Sequence, residues 1–281
     1  MGELIPLFPL GSPLFPGVVL PLSIFEPRYR RLVQDLIALP AGSPQRFFGV
    51  VAIRQGWEVE RVSPAEALYD VGCSARLQAV RPQPDGRFRI TTVGADRFRL
   101  LDVVVGEDPP YLQGEVEWLA EEEAAEEAAG DAEGLVGPAG DDVAAEVARS
   151  SMAVVVRGVR ELFTRYVAEV AALRGGGWTP GDDEDLDPDL ADPADGPALS
   201  VGAQTAELLR AVADDPRALS WLVAAAALLT TEDRQALLAI SATRRRLAAE
   251  SRLLRRELTI LQTLGAVPVP LQEFATPMTV N

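Results

Sequence analysis

The side chains that most often carry out chemistry in proteins are nearly missing from this sequence. It contains no histidine, and all 26 of its basic residues are arginines. Without lysine there is no Walker A loop to cradle a nucleotide's phosphates, and no serine–lysine dyad. Without histidine, Ser-His-Asp and Cys-His nucleophile systems are excluded as well. Cys73 is the single cysteine. It leaves no donor set for a structural zinc, allows no intramolecular disulfide, and fits a reducing, cytoplasmic compartment. Within the strand-like run Tyr69–Val80 it reads as a small buried core residue. Chemistry resting on carboxylates alone, or on oxygen ligands to Mg2+ or Ca2+, survives this filter. The paired acids, Asp141-Asp142 and Asp182-Asp183-Glu184, sit in low-complexity surroundings, whereas catalytic carboxylates need fixed positions and tuned pKa values. They read as solubilising, so no catalytic residue, cofactor or metal site is expected.

Binding remains, and the residues that suggest it lie in Leu4–Leu36. The phenylalanines and leucines Phe8, Phe15, Leu20, Leu22, Phe25, Phe47 and Phe48 include alternating positions that cannot all face one core. Some of them are therefore expected to form exposed apolar surface; the competing reading buries all of them. The polar cluster Glu26-Pro27-Arg28-Tyr29 has two readings too. Glu26 caps a helix while Arg28 pairs with a carboxylate across the sheet, or the cluster binds a partner directly. The candidate binding residues are Phe15, Pro16, Leu20, Leu22, Phe25, Glu26, Pro27, Arg28 and Tyr29.

The elements that position these residues can be read from period and punctuation. Leu4–Leu10 and Val18–Leu22 are extended runs, but Pro6, Pro9, Pro13, Pro16 and Pro21 argue against a regular central strand before Phe25. From Pro27, which suits a first helical turn, Tyr29, Leu32, Val33, Leu36 and Ile37 form one apolar stripe of a helix to Leu39. Strands are expected at Arg46–Arg54, Trp57–Val62, Tyr69–Val80 (bent at Gly72), Arg87–Val93, Arg97–Val105 and Tyr111–Leu119. Pro84-Asp85-Gly86 is the turn of a hairpin. Helical periodicity begins at Ser150 or Ser151 with the stripe Met152, Val155, Val159, Leu162, Tyr166, Val170 and Leu173, and stops at Gly175. Helices follow at Val201–Val212 and Arg217–Leu229. A capping box at Thr230–Asp233 opens a long helix to Leu264. Arg244, Arg245, Arg246, Arg252, Arg255 and Arg256 make that helix basic, read as a solvated face or a partner for acidic segments rather than a nucleic-acid surface.

The formal charge of −16 is concentrated in two places. Residues 120–149 hold ten acids against one arginine, and residues 182–195 hold eight acids and no base. The remainder is close to neutral. No apolar run is long enough to span a membrane, and the proline-broken start lacks the basic n-region of a secretory signal.

The runs LIPLFPL, FPG and LPLSIFEPRYRRLVQD resemble the opening of the Lon protease N-terminal domain, a substrate-binding domain that also occurs free-standing. Ser23 departs from the pattern, standing where many members carry a histidine. VGCSARLQAV, the PDGRFRITTVG hairpin, DRFRLLDV and the LSWLVAAAALL…RQALL…LRREL pattern continue the resemblance in order over roughly residues 3–264, with the two acidic segments as insertions. What this implies is an α+β fold: a PUA-like β pseudo-barrel with one helix over 1–119, an acidic linker over 120–149, a helical bundle over 150–265 interrupted by an acidic disordered loop at 175–197, and a tail at 266–281. It also implies a free-standing member lacking the ATPase and protease domains, since the dyad and the Walker A loop are excluded. The expected function is non-catalytic binding of unfolded or apolar polypeptide segments, as an adaptor to a separate ATP-dependent protease or as a holdase in protein quality control. RNA binding by a PUA-like fold and a peptidase-associated role are the alternatives. RNA is disfavoured by the 12 arginines against 14 acids in residues 1–119, because phosphate binding relies on clustered positive charge.

Overall fold

A computed structural model describes residues 2–54, 64–106, 108–120, 140–174 and 207–265. The elements run β1 (Glu3–Leu10), β2 (Val19–Ile24), α1 (Pro27–Ala38), β3 (Phe47–Ala52), α2 (Pro64–Ala67), β4 (Val71–Pro82), β5 (Phe88–Val104), β6 (Gln113–Leu119), α3 (Gly140–Arg174), α4 (Pro216–Ala226), α5 (Thr231–Ala239) and α6 (Thr243–Leu264). The expected α+β class is observed. The strand expected at Trp57–Val62, the loop at 175–197 and the tail lie outside the described residues. The chain divides into two compact units, residues 1–131 with 220–246 and residues 132–219 with 247–281. Part of the helical half expected over 150–265 thus belongs to the strand-bearing unit.

In that unit the six strands form one mixed sheet in the order β2-β5-β4-β3-β1-β6, and β6 pairs with β5 as well as β1. The pairings therefore make a circuit, β5-β4-β3-β1-β6-β5, with β2 attached outside it. Two strands, β1 and β5, depart from the sequence expectation. β1 is a central strand despite Pro6 and Pro9. It pairs with β6 over Glu3–Pro6 and with β3 over Leu7–Leu10. Each half has one partner in register, so a missing donor is tolerated as on an edge. β5 joins Arg87–Val93 and Arg97–Val105, expected as separate strands, into a single strand of 17 residues. Gly94 does not break it. A side chain there would put its Cβ 2.1 Å from the Phe15 carbonyl oxygen, so glycine is required by close approach. Gly72 likewise lies under the Phe98 ring, 2.3 Å from a would-be Cβ, rather than at a bend. The register shifts in β4 fall after Cys73 and Leu77 instead.

The core inside the circuit is Ile5, Leu7, Val51, Leu68, Phe98 and Val116. Phe8 of β1 meets Tyr29 of α1, with ring centroids 4.1 Å apart, and Phe48 of β3, at 5.5 Å. Tyr29, Leu32, Val33 and Leu36 of the expected stripe are buried, each contributing about 1.5–3 kcal/mol, while Ile37 is exposed. The last carbonyls of α1 are capped by Arg46, which donates to Ile37 O (2.9 Å) and Leu39 O (3.1 Å), and Pro40 prevents continuation.

The long helix expected from Thr230 to Leu264 is two helices. Thr230 caps the first as anticipated, accepting from the Asp233 N–H at 3.1 Å, but the helix ends at Ala239 and a new one begins at Thr243. Two buried arginines occupy the break. Arg97 of β5 donates to Leu238 O (2.7 Å) and Ile240 O (3.3 Å), and also to Ala120 O (3.3 Å). Arg246 donates to Ser220 Oγ (2.8 Å), Ile240 O (2.6 Å) and Thr243 Oγ1 (3.2 Å). Both guanidiniums lie against the Trp221 ring, at 5.6 and 3.4 Å from its centroid. Arg246 is wholly buried and therefore no part of a solvated basic face. Further polar ties bind these helices to the strands: Gln235 to Val71 O (2.7 Å), Thr231 to Gly11 O (3.2 Å) and Arg234 to Ser12 Oγ (3.0 Å).

In the second unit α3 starts at Gly140, so Ser150 and Ser151 lie within it and not at its start. The alanine-rich run ahead of them is good helix-forming sequence. Among its described side chains Val159, Phe163 and Tyr166 are buried, of which Phe163 was not in the expected stripe. Leu247, Leu254, Leu258 and Leu261 of α6 are buried.

Neighbouring arginines should behave oppositely. Arg246→Met, which removes the donors that Ser220 and Ile240 face, is expected to lower stability in urea unfolding by about 2–4 kcal/mol. Arg245→Met, on the exposed side, should change it by less than about 0.5 kcal/mol.

Candidate functional site

The residues singled out from the sequence surround one feature, the outer edge of β2. Among the described residues, this strand ends the pairing order and is bonded to β5 alone. The turn at Pro16-Gly17 leads into it; Gly17 takes φ +77°, where a side chain would be strained. The Gly94 N–H donates to Val18 O at 2.9 Å and Thr92 Oγ1 donates to Leu20 O at 3.0 Å. By the alternation of an antiparallel pair, the Val18 carbonyl and the main-chain groups of Leu20, Leu22 and Ile24 turn toward β5, and those of Val19, Pro21 and Ser23 turn outward. Pro21 stands at an outward position, where its missing N–H costs no ladder bond.

Side chains alternate in the same way. Ile24 is buried and Leu20 and Leu22 are half-buried, whereas Val19 (57%), Pro21 and Ser23 are exposed, followed by Phe25 (61%). The exposed face continues across the neighbouring strands in register: Val19 with Val93 and Arg76, Pro21 with Thr91 and Ala79, and Ser23 with Arg89 and Arg81.

Not every expected site residue belongs to this surface. Phe15 is buried (1%), its ring 5.9 Å from Trp221 and beneath the Arg234 guanidinium. Tyr29 is buried against Phe8, with the Arg28 guanidinium 4.7 Å from its ring centroid. Burial raises the Tyr29 phenol pKa, and Arg28 opposes that. Phe8 and Phe48 are core, and Phe47 is half-buried. Pro16 is half-buried, and Pro27 is exposed at the first turn of α1. Glu26 occupies the N-cap position but its side chain caps nothing. It bonds Arg28 at 2.8 Å instead, so the arginine's partner is local and not across the sheet. The structure therefore gathers Leu20, Leu22, Phe25, Glu26, Pro27 and Arg28 at or beside one edge and assigns Phe15 and Tyr29 to packing. Val19, Arg81 and Arg89 were not among the expected site residues. Their signals were the alternation around Pro21 and the symmetry of the hairpin about Asp85.

No group of three or more Asp, Glu or Cys side chains among the described residues is arranged to hold a metal ion. Cys73 is buried, and desolvation pushes its thiol up to about 12. Tyr111, donating to Asp35 Oδ2 at 3.0 Å, is also pushed up to about 12, by burial first and by that hydrogen bond second. These groups lock packing and offer no nucleophile.

Residues 4–256 match the family described as the ATP-dependent protease La (LON) substrate-binding domain. Among curated proteins, Lon protease 1 of Herpetosiphon aurantiacus is 25% identical over 257 residues, which is 90% of this chain and 24% of that protein. The Lon protease of Parabacteroides distasonis is 32% identical over 117 residues, 41% of this chain and 13% of that protein. The chain thus spans a quarter or less of the length of these relatives. Among solved structures, a Lon N-terminal domain protein from Xanthomonas campestris aligns over 95% of this chain and 99% of its own, at 21% identity and a TM-score of 0.48. The N-terminal domain of a Mycobacterium avium complex Lon protease aligns over 90% and 98%, at 14% identity and a TM-score of 0.49.

Two outcomes follow from this geometry. Glu26→Ala should change unfolding stability by less than about 1 kcal/mol, because it loses only an exposed ion pair. Cys73 should resist iodoacetamide in the folded protein near about pH 8 and react fully once unfolded. Because the folded thiol holds a proton that the unfolded thiol releases, its contribution to stability is whole below 9 and declines as pH rises toward about 12. A urea titration series across that range checks the sign.

Proposed function

This chain belongs to the family of the substrate-binding domain of the ATP-dependent protease La (Lon), and from that membership we propose that it is a non-catalytic binder of unfolded or apolar polypeptide segments. The observation that carries this reading is the outer edge of β2, which pairs with no strand among the described residues and where Val19 and Phe25 are more than half exposed beside outward main-chain groups. A strand edge offers hydrogen bonds to any backbone, and apolar side chains beside it reward apolar sequence without demanding a particular one. That combination suits a protein that takes many unfolded chains. The lack of histidine and lysine agrees with a binding role. The protein acts in protein quality control in the cytoplasm, as an adaptor that hands clients to a separate ATP-dependent protease or as a holdase that keeps them from aggregating. Among the described residues, no helix is long and apolar enough to cross a membrane.

A double variant tests the surface. Val19→Ser with Phe25→Ser should leave thermal unfolding within about 0.5 kcal/mol of the parent. It should weaken capture of a labelled, chemically unfolded reporter by about tenfold, equivalent to the burial of one apolar side chain. Unchanged capture, measured by fluorescence anisotropy and by suppression of light scattering, would remove β2 from the binding site.

A further inference from the structure

Pro21 stands in the middle of the outward-facing groups of β2, and that position distinguishes two kinds of added strand. Among the described residues, the edge offers Val19, Pro21 and Ser23 to a neighbour, equally spaced about the proline. In an antiparallel ladder each of them would form a hydrogen-bonded pair, exchanging two main-chain bonds with the residue opposite. Apart from Pro21 the edge is self-complementary. A second copy, related by a two-fold axis through residue 21, would set Val19 opposite Ser23. It would also bring the exposed Phe25 to the turn at Gly17, where nothing among the described residues lies within 4 Å of a would-be Cβ. At the centre of that arrangement Pro21 faces its own counterpart, and both bonds of the pair need an N–H that proline lacks. A client strand with an ordinary residue at that place still donates to the Pro21 carbonyl and loses one bond only. Sliding two copies past each other either keeps both prolines in the overlap or shortens the overlap.

Building on the polypeptide-binding reading above, we infer that Pro21 is a specificity-determining residue of the β2 edge, selecting single extended polypeptides over a second copy of this chain. The proline weakens both kinds of pairing, but self-pairing loses two bonds where client pairing loses one. A net main-chain hydrogen bond is equivalent to about a fivefold change in an equilibrium constant, so the edge gives up about fivefold in client affinity and about 25-fold in self-association. Edge protection is a general need of exposed strands. At a binding site, covering the edge would exclude clients as well, whereas one central proline leaves most of the ladder open to them.

The test measures two equilibria on the full chain: dimerisation by sedimentation equilibrium, and binding of a labelled nonapeptide of alternating valine and threonine by fluorescence anisotropy. Pro21→Ala restores the donor. It should tighten peptide binding by about fivefold and dimerisation by about 25-fold relative to the parent, the second change being the square of the first. Pro21→Thr restores the same donor on a better strand former and should do likewise, so a loosened alanine variant leaves the test intact. Pro21→Ala combined with Ser23→Pro moves the missing donor from the centre of the edge to its end, and both equilibria should return to parental values. A double variant that dimerises as strongly as the single one would overturn the inference, because the proline ring and not the missing donor would then be acting. Tighter peptide binding with no gain in dimerisation, or equal gains in both, would overturn it too. Failure of the parent chain to capture either the peptide or an unfolded reporter protein would overturn the polypeptide-binding reading itself, whereas capture with no response to Pro21→Ala overturns only the role of Pro21.

Discussion

Two buried arginines against one tryptophan organise the strand-bearing unit. Removing a guanidinium from water costs several kcal/mol, and the cost is offset only where its donors meet fixed acceptors. Here Arg97 and Arg246 reach the carbonyls of Ala120, Leu238 and Ile240 and the hydroxyls of Ser220 and Thr243, with the Trp221 ring supplying a further electrostatic face. Much follows from that arrangement. Carbonyls that serve the arginines are not extending a helix, so α5 and α6 separate at Ile240. Because Arg97 sits in the middle of β5, the helices that surround it are tied to the sheet. Residues 220–246 accordingly belong with strands that lie more than a hundred positions earlier in the chain.

The same strand also places the candidate site. β5 is long enough for one half to hold β2 and the other half to hold β6, and the join at Gly94 is bare so that the Phe15 carbonyl can approach. Phe15 is drawn into the core against Trp221, and the chain then turns at Pro16-Gly17 into β2. Burial of one residue and exposure of another ten positions later are thus parts of one constraint. Phe15 anchors the start of the segment and Tyr29 anchors its end, leaving Val19–Phe25 stretched along an edge with one side open.

An open edge is ordinarily a hazard, because it invites pairing with other chains. In a protein whose proposed task is to hold other chains, the hazard and the function coincide. Pro21 moderates the edge by removing one donor. The chain reaches this with no histidine, no lysine and a single thiol that is buried and held protonated. Affinity for extended polypeptide needs only main-chain groups and surface chemistry, which such a composition can provide.

Local physics was legible in the sequence. The α1 stripe, the Pro84-Asp85-Gly86 hairpin and the Thr230 cap each depend on residues a few positions apart. The hairpin even contained the opposition of Arg81 and Arg89, which are equidistant from Asp85. What the sequence could not decide was set by partners distant along the chain. Whether Phe15 or Phe25 is exposed depends on Trp221 and on the bare backbone at Gly94. Whether Pro6 and Pro9 exclude a central strand depends on β3 and β6 each pairing only half of β1. Arg246 and Arg245 are indistinguishable in an arginine triplet, and only the carbonyls freed at Ile240 and the ring of Trp221 select the first for burial. Composition and short-range spacing determined that histidine- and lysine-based catalytic systems are excluded and that strands and helices follow a start rich in apolar residues. The tertiary structure decided which of those apolar residues are exposed, because burial is a property of the pairings a residue makes and not of its own type.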